Sequence, residues 1–294
     1  MAKGETIMPA DDKNKVTILT LNKNKKTAKN SVFCTAYDCW QATLVDQAGM
    51  DGILIGDSIG MTTFGEKNTL NVKMSHMIKA TKSVAKGAKN AFIIGDMPYM
   101  SYKSDYDAIT NAGKFLSAGC DCVKVEGVYP ERVKAISQSG ILVQSHIGLV
   151  PQQRAKLGGY RVQGKTKKDY EVILDQALRL QEAGANLLLL EAVPNEVGGA
   201  IRDELQIPVY SIGGGNRTDG QLVILHDLIG LFFEFKSKFV KRYLEGGRLI
   251  QEALAAYASE VRTGKFPAEE HFYKIDDNEL EKLLGDDKWK YERK

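Results

Sequence analysis

Eight short runs, each almost wholly apolar, recur along this chain and alternate with stretches of helical periodicity. They are Val32–Ala36, Gly52–Gly56, Ala91–Gly95, Cys122–Val125, Leu142–Ser145, Leu187–Leu190, Val209–Ile212 and, less sharply, Leu222–Leu225. A strand with no polar face must be covered on both sides, which is the condition of a parallel sheet flanked by helices. The intervening "DCWQATLVDQAG" has apolar residues spaced near 3.6 and ends on Gly49, a favourable residue just past a helix end. "SHMIKATKSVAKGA", "DYDAITNAGKFLSAG" and "KKDYEVILDQALRLQEAG" follow the same plan. About eight such repeats of about 31 residues fit a (β/α)8 barrel of the TIM type. Asp57 and Asp96 lie 39 residues apart, and Asp96 and Glu126 lie 30 apart, as consecutive units would. A doubly wound sheet would want a glycine fingerprint after its first strand. "CTAYDCW" is not one.

The 294 residues are enough for one such barrel, and 43% hydrophobic with 26% charged is ordinary for a globular chain. The expected division is a polar arm at 1–29 leading to a short strand or helix, a catalytic barrel with C-terminal helices at 30–273, and a charged tail at 274–294. The net charge of +3 has both signs interspersed and selects no partner class. "NKNKKTAKN" and "KWKYERK" read as solvated lysine runs, weak grounds for a nucleic-acid arm. No apolar run is long enough for a membrane span. The opening "MAKGETIMPADDKNK" lacks a signal-peptide core and carries acids that a transit peptide avoids, so the expectation is a cytoplasmic protein. Cys34, Cys39, Cys120 and Cys122 sit in or beside apolar runs without zinc spacing and read as buried thiols. Cys120 and Cys122 would share a strand face if both lay in the strand.

What the apolar runs deliver at their ends is unusual. "GILIGDS" ends on Asp57 and Ser58, "AFIIGD" on Asp96, "CVKVE" on Glu126 and "NLLLLE" on Glu191. Barrel active sites form at the C-terminal ends of the strands, so four acids from runs 2, 3, 4 and 6 converge on one bowl. Acids so gathered raise one another's pKa, and a hard cation such as Mg²⁺, which favours oxygen ligands, relieves that conflict. Lys124 shares a strand face with Glu126 and can meet a substrate carboxylate. The plainer alternative is that these acids cap helices or form structural ion pairs. His146 ends run 5 and is a candidate supporting member of the site, a purely structural histidine being the alternative. "SIGGGNRTDG" is either a phosphate cradle or a plain turn.

"TAYDCWQATLVDQAGMDGILIGDSIGMTTFG", "GDMPYMSY", "KVEG", "SHIGLVPQ", "GGYRVQGK", "LLLLEAVP" and "GNRTDGQLVILHD" stand in the order seen in the ketopantoate hydroxymethyltransferase family, which the chain resembles from about residue 30 to 273. The resemblance implies transfer of a hydroxymethyl group from 5,10-methylenetetrahydrofolate to 3-methyl-2-oxobutanoate, giving 2-dehydropantoate, with Mg²⁺ and a homodecamer built as a dimer of pentamers. It implies that Asp57, Asp96 and Glu126 form the metal group. Asp57, Ser58, Asp96 and Lys124 would contact the 2-oxo acid, and Glu191 would be the general base that forms a Mg-stabilised enolate. The chain departs from the family's usual pattern at Asn71, in "SIGGG", in "GLFFEFKSKFVKRY" and in its longer arm.

Two rival readings stand against it. A Mg-dependent 2-oxo-acid C–C lyase of the isocitrate lyase kind would carry a reactive cysteine in a loop like "KKCGH", and no cysteine here follows lysines. A barrel with a dead site, serving only assembly, would have no reason to keep Asp57, Asp96, Lys124, Glu126 and Glu191 together.

Overall fold

The computed structural model describes residues 14–284 apart from 154, 156–158, 160, 235 and 236. Eight parallel strands close into a barrel in sequence order, with the last paired to the first. They are β1 (Ser31–Thr35), β2 (Gly52–Ile55), β3 (Phe92–Asp96), β4 (Cys122–Glu126), β5 (Leu142–Gly148), β6 (Leu187–Glu191), β7 (Val209–Ile212) and β8 (Gly220–Val223). The helices of the same unit are α1 (Ile18–Lys26), α2 (Cys39–Gln47), α3 (Ile59–Thr62), α4 (Met74–Gly87), α5 (Asp105–Ala118), α6 (Pro130–Gln138), α7 (Lys167–Glu182), α8 (Asn195–Glu204) and α9 (Leu225–Leu228). The expected (β/α)8 architecture is the one found.

Side-chain alternation sorts each strand into two rows. Phe33, Leu54, Phe92, Ile94, Cys122, Leu187, Leu189 and Tyr210 belong to one apolar cluster, the filled interior of the barrel. Their neighbours Ile53, Ile55, Ile93, Val123, Val125, Val143, Leu188 and Leu190 belong to a second, packed under the helices. Both rows are apolar, which is why the runs read as continuous rather than alternating. Local signals set the helix ends. Ser104 caps α5, accepting from the Asp107 N–H, and Asp105 and Asp107 lie in its first turn where the helix dipole favours them. Thr166 and Asp169 form a capping box at α7.

Of the expected arm, residues 1–13 lie outside the described residues; the rest carries α1, capped by Thr17, which sends Leu21 into the interior cluster. Lys25 Nζ, 3.0 Å from Asp219 Oδ2, and Lys15 Nζ, 2.7 Å from Asp121 Oδ2, tie this segment to the barrel. The eighth strand starts at Gly220, earlier than its apolar pattern indicates, because Ser31 of β1 pairs with Gly220, and Leu225 instead opens α9. Cys120 precedes β4 and packs among the outer residues, whereas Cys122 points inward, so the two do not share a strand face. All four thiols are free, and Cys39 is exposed rather than buried.

The chain divides into two compact units, Met1–Leu244 and Glu245–Lys294. The second holds α10 (Gly246–Arg262) and α11 (Asp277–Leu284), which the division expected from sequence counts with the barrel in part. Among the described residues no helix is long and apolar enough to cross a membrane.

Candidate active site

The inner rows explain the acids. Phe92, Ile94 and Asp96 are one row of β3; Cys122, Lys124 and Glu126 one row of β4; Leu187, Leu189 and Glu191 one row of β6. Each row is apolar in the barrel's waist and charged in its last layer. Asp57 follows β2 in the turn that opens α3. Parallel register brings the charged layer together: Asp96 pairs with Lys124, Glu126 with His146 and Gly148 with Glu191. Asp57, Ser58, Asp96, Lys124, Glu126, His146 and Glu191 all line one cavity of about 690 Å³. The N-cap positions of the helices that follow these strands are Ser58, Ser104, Tyr129 and Pro194, so none of the four acids is a helix cap.

Two glycines make room. At Gly56 a Cβ would stand 2.7 Å from Ser58 Oγ. Gly148 has φ +93° and lies against the Glu191 backbone carbonyl, where a side chain would both clash and be strained.

The ion-pair half of the plainer reading is present as well. Lys124 Nζ lies 2.9 Å from Asp96 Oδ2 and 3.7 Å from Glu126 Oε2. His146 bridges two acids, with Nδ1 3.3 Å from Glu126 Oε2 and Nε2 3.2 Å from Glu191 Oε2. These are ion-pair distances, but the angles are not those of directed hydrogen bonds. The pairing does not balance the cluster: four carboxylates face two cationic side chains. Burial first, and then the negative Asp96, push the Asp57 carboxyl well above the carboxylate range, although Lys124 opposes this. Burial raises Asp96 too, against the pull of Lys124. Glu126 runs the other way: burial would raise it, but its contacts with His146, with help from Lys124 and the Gln152 N–H, bring it below its ordinary value. Burial and Lys124 depress the His146 imidazole, yet Glu126 and Glu191 more than offset them and lift it to about 9. His146 is therefore an imidazolium at neutral pH in this arrangement.

The cluster has a donor set suited to a hard cation. Asp96 Oδ1 is buried and has no partner, while Oδ2 accepts from the Asp57 N–H at 2.9 Å. Among the described residues no three acidic or imidazole groups make a finished metal cage. Lys124 stands among the acids and takes up part of their charge. Mg²⁺ does not need such a cage, because it binds through one or two carboxylates and keeps waters or substrate oxygens for the rest. The residues present fit such an ion.

Sequence reasoning missed the groups that hold this layer. Gln152, buried after β5, donates from Nε2 to Asp57 Oδ2 at 2.9 Å and from its backbone N–H to Glu126 Oε1 at 2.6 Å. The Tyr102 hydroxyl donates to Gln152 Oε1 at 2.6 Å. Tyr37 and Ser58 share a hydrogen bond of 2.8 Å. Ala192, just after Glu191, has φ +47°, and its backbone is held by the Ile212 carbonyl and the Gln163 N–H. Tyr102 and Gln152 stand inside the motifs "GDMPYMSY" and "SHIGLVPQ", but only their side-chain contacts give them a role. The loop "SIGGGNRTDG" is a turn stapled by Asn195 Oδ1, which accepts from the Asn216 and Arg217 N–H groups at 2.8 and 3.3 Å.

A filled parallel barrel whose last layer gathers acids, a lysine and an imidazolium around one cavity at the C-terminal strand ends defines a (β/α)8-barrel enzyme. Comparison with known proteins narrows this. The sequence profile of the ketopantoate hydroxymethyltransferase family matches residues 15–269. The chain is 41% identical over 273 residues to a 3-methyl-2-oxobutanoate hydroxymethyltransferase of Clostridium novyi (strain NT), covering 92% of this chain and 99% of the relative. It is 43% identical over 275 residues to the protein of that name from Clostridium kluyveri, covering 92% and 98%. The chain belongs to the ketopantoate hydroxymethyltransferase family, the one its motifs resemble. Among solved structures, the fold is similar to a phosphonopyruvate hydrolase in complex with oxalate and Mg²⁺ (TM-score 0.59, 12% identity, 92% and 95% covered). It is also similar to 2,3-dimethylmalate lyase, a member of the PEP mutase/isocitrate lyase superfamily (TM-score 0.54, 13% identity, 91% and 94% covered). At such identities these likenesses speak for the barrel alone.

Proposed function

We propose that this enzyme transfers a hydroxymethyl group from 5,10-methylenetetrahydrofolate to 3-methyl-2-oxobutanoate, giving 2-dehydropantoate. Beside family membership, the observation that carries the reading is the convergence of Glu191 with Asp57, Asp96, Lys124 and Glu126 on one cavity. In this reading Mg²⁺ would be held among Asp57, Asp96 and Glu126, by one or two of them directly and by the rest through water, with the unpartnered Asp96 Oδ1 as the clearest free ligand. The ion supplies Lewis-acid stabilisation of the negative charge that develops on the 2-oxo acid as its C3 proton leaves.

The chain's own groups do the rest. Lys124 meets the substrate carboxylate while remaining paired with Asp96. Ser58, oriented by Tyr37, adds a hydroxyl to the substrate's contacts. Glu191 takes the C3 proton and becomes the neutral acid. His146, fixed between Glu126 and Glu191, aims that carboxylate. The electron pair left at C3 forms the new C–C bond to the methylene carbon of the folate. The two C–N bonds of that carbon break, and water supplies the hydroxyl in place of the second nitrogen. The folate nitrogens take up the proton held by Glu191 and the proton left by water, so that tetrahydrofolate is released and Glu191 is again a carboxylate. Apolar walls from Met61, Leu149, Val193, Ile212 and Phe232 give the donor's ring system a dry surface.

The same reading makes the enzyme a cytoplasmic homodecamer, a dimer of pentamers, acting on small molecules and not on nucleic acid or membranes. In support of self-assembly, α10 bears a stripe of exposed Ile250, Leu254, Tyr257 and Val261 that a second copy would cover. The experiment is the consumption of methylenetetrahydrofolate by the purified chain. It is expected to require 3-methyl-2-oxobutanoate and to stop with EDTA. Cleavage of a 2-oxo acid without folate would favour the lyase instead, and no turnover of either kind would favour a dead site.

A further inference from the structure

The three carboxylates assigned to the metal share a restriction: each has one oxygen already tied to a protein N–H group. Asp96 Oδ2 accepts from the Asp57 backbone N–H at 2.9 Å. The other two are tied by a single residue. Gln152 donates its side-chain amide to Asp57 Oδ2 at 2.9 Å and its backbone N–H to Glu126 Oε1 at 2.6 Å. Gln152 is 5% exposed, and its amide orientation is set by the Met97 carbonyl, which can only accept and lies 3.3 Å from Nε2. Tyr102 holds that orientation from behind, its hydroxyl donating to Gln152 Oε1 at 2.6 Å and lying 3.1 Å from the Glu126 carbonyl.

A buried N–H on one carboxylate oxygen competes with a cation for that oxygen and favours coordination through the other. Glu126 is engaged on its second oxygen as well, since Oε2 faces Lys124 and His146. Mg²⁺ and Mn²⁺ favour an octahedron of single oxygens, whereas Ca²⁺ takes six to eight ligands and commonly grips a carboxylate by both oxygens. We infer that Gln152 is a positioning residue that turns Asp57 toward one-oxygen coordination and so tunes the site for a small octahedral cation over Ca²⁺. Tyr102 acts through Gln152. The inference rests on Asp57, Asp96 and Glu126 being the metal group.

The test uses the full chain with 3-methyl-2-oxobutanoate and no folate. Bound Mn²⁺ is read by electron paramagnetic resonance and displaced by Mg²⁺ and by Ca²⁺ in turn. Gln152→Met keeps the length and removes the amide, and Tyr102→Phe keeps the ring and frees the amide to turn. Both keep the backbone N–H, so they act on Asp57. Loss of a group that orients a metal ligand typically costs about 10–100-fold in affinity. Gln152→Met should weaken Mg²⁺ by that much and Ca²⁺ by less, narrowing the preference for Mg²⁺ about tenfold. Tyr102→Phe should move it the same way by a smaller factor. An unchanged Mg²⁺-to-Ca²⁺ ratio in a folded variant, with wild type binding Mn²⁺, overturns the inference and leaves the metal reading intact. If wild type binds Mn²⁺ no better than an Asp57→Asn control, the metal reading falls and the inference with it. Should Gln152→Met not fold, Tyr102→Phe alone decides.

Discussion

Replacing Glu191 by Gln keeps the shape of the side chain and removes the charge that the proposed proton transfer needs. Its carboxylate is 17% exposed and stands on β6, with Oε2 3.2 Å from His146 Nε2. The assigned metal group lies on β3, on β4 and in the turn after β2, and among the described residues the ion-pair link from Glu191 to it runs through His146. His146 keeps Glu126 as a partner in the variant, so its buried charge is not left alone and the fold should persist at some cost in stability. Binding of Mg²⁺ and 2-oxo acid should therefore survive. The chemistry should not: removal of a general base costs about 10²–10⁴ in rate, or about 2.7–5.5 kcal/mol of barrier at 1.36 kcal/mol per decade. The assay is exchange of the C3 hydrogen of 3-methyl-2-oxobutanoate with solvent deuterium, followed by NMR in the presence of Mg²⁺. This half-reaction needs no folate, so it isolates the proton transfer from carbon transfer. Calorimetric titration of the 2-oxo acid into the same sample reports binding. Exchange at the wild-type rate with binding intact would refute the assignment and hand the base's role to another group of the cavity.

Asp57→Asn and Asp96→Asn should fold, since burial already pushes both carboxyls toward the neutral form, yet lose most Mn²⁺ and 2-oxo-acid binding; retained metal binding in both would remove them from the metal group. Lys124→Ala should raise the KM for the 2-oxo acid strongly while leaving folate binding nearly unchanged, and an unaltered KM would mean that its charge serves only Asp96 and Glu126. Leu21→Ala empties a fully buried position in the interior cluster and should cost about 2–5 kcal/mol, seen as a lowered Tm with wild-type kinetics in the folded fraction; a Tm change within error would mean that α1 does not plug the barrel. Light scattering should give the mass of an assembly rather than a monomer, and a monomer with full activity would count against self-assembly as part of the function.

Much of this was legible because one rule, alternation along a strand, governs both the core and the site. Once the runs are placed as strands, Lys124 and Glu126 must share a row with Cys122, and Asp96 with Ile94. What alternation cannot reveal are groups that arrive from outside the strands. Gln152 lies in a short 3-10 turn after β5, 95 residues from the Asp57 it contacts. Tyr102 lies in the loop after β3, 50 residues from Gln152. Nothing local marks either of them. The Ala192 conformation is equally silent, since an alanine at φ +47° is held there by neighbours and not by its own preference. The charge state of His146 also depends on two acids from different strands. α1 shows the opposite difficulty: three lysines in its last turn signal solvent, while one leucine decides where it packs.

The arrangement also explains why an apolar strand should end on an acid at all. Burying four carboxylates against two cations is costly, and the raised pKa values of Asp57 and Asp96 are the signature of that cost. The barrel can bear it because the layers below, from Phe33 and Tyr210 to Leu187 and Leu189, are filled with apolar side chains and need no contribution from the top. The same layers position the site, since Asp96, Lys124, Glu126, His146 and Glu191 project from strands fixed on both sides by neighbours, and Asp57 and Ser58 follow such a strand directly. A divalent cation would be held most strongly where its charge is most needed, in a cluster that is negative and shielded from water. The Gln152 turn stands apart from the rest of that cluster, because its two hydrogen bonds reach Asp57 and Glu126 from outside the strands. If any element adjusts the ligands without disturbing the fold, the geometry leaves that role to this turn.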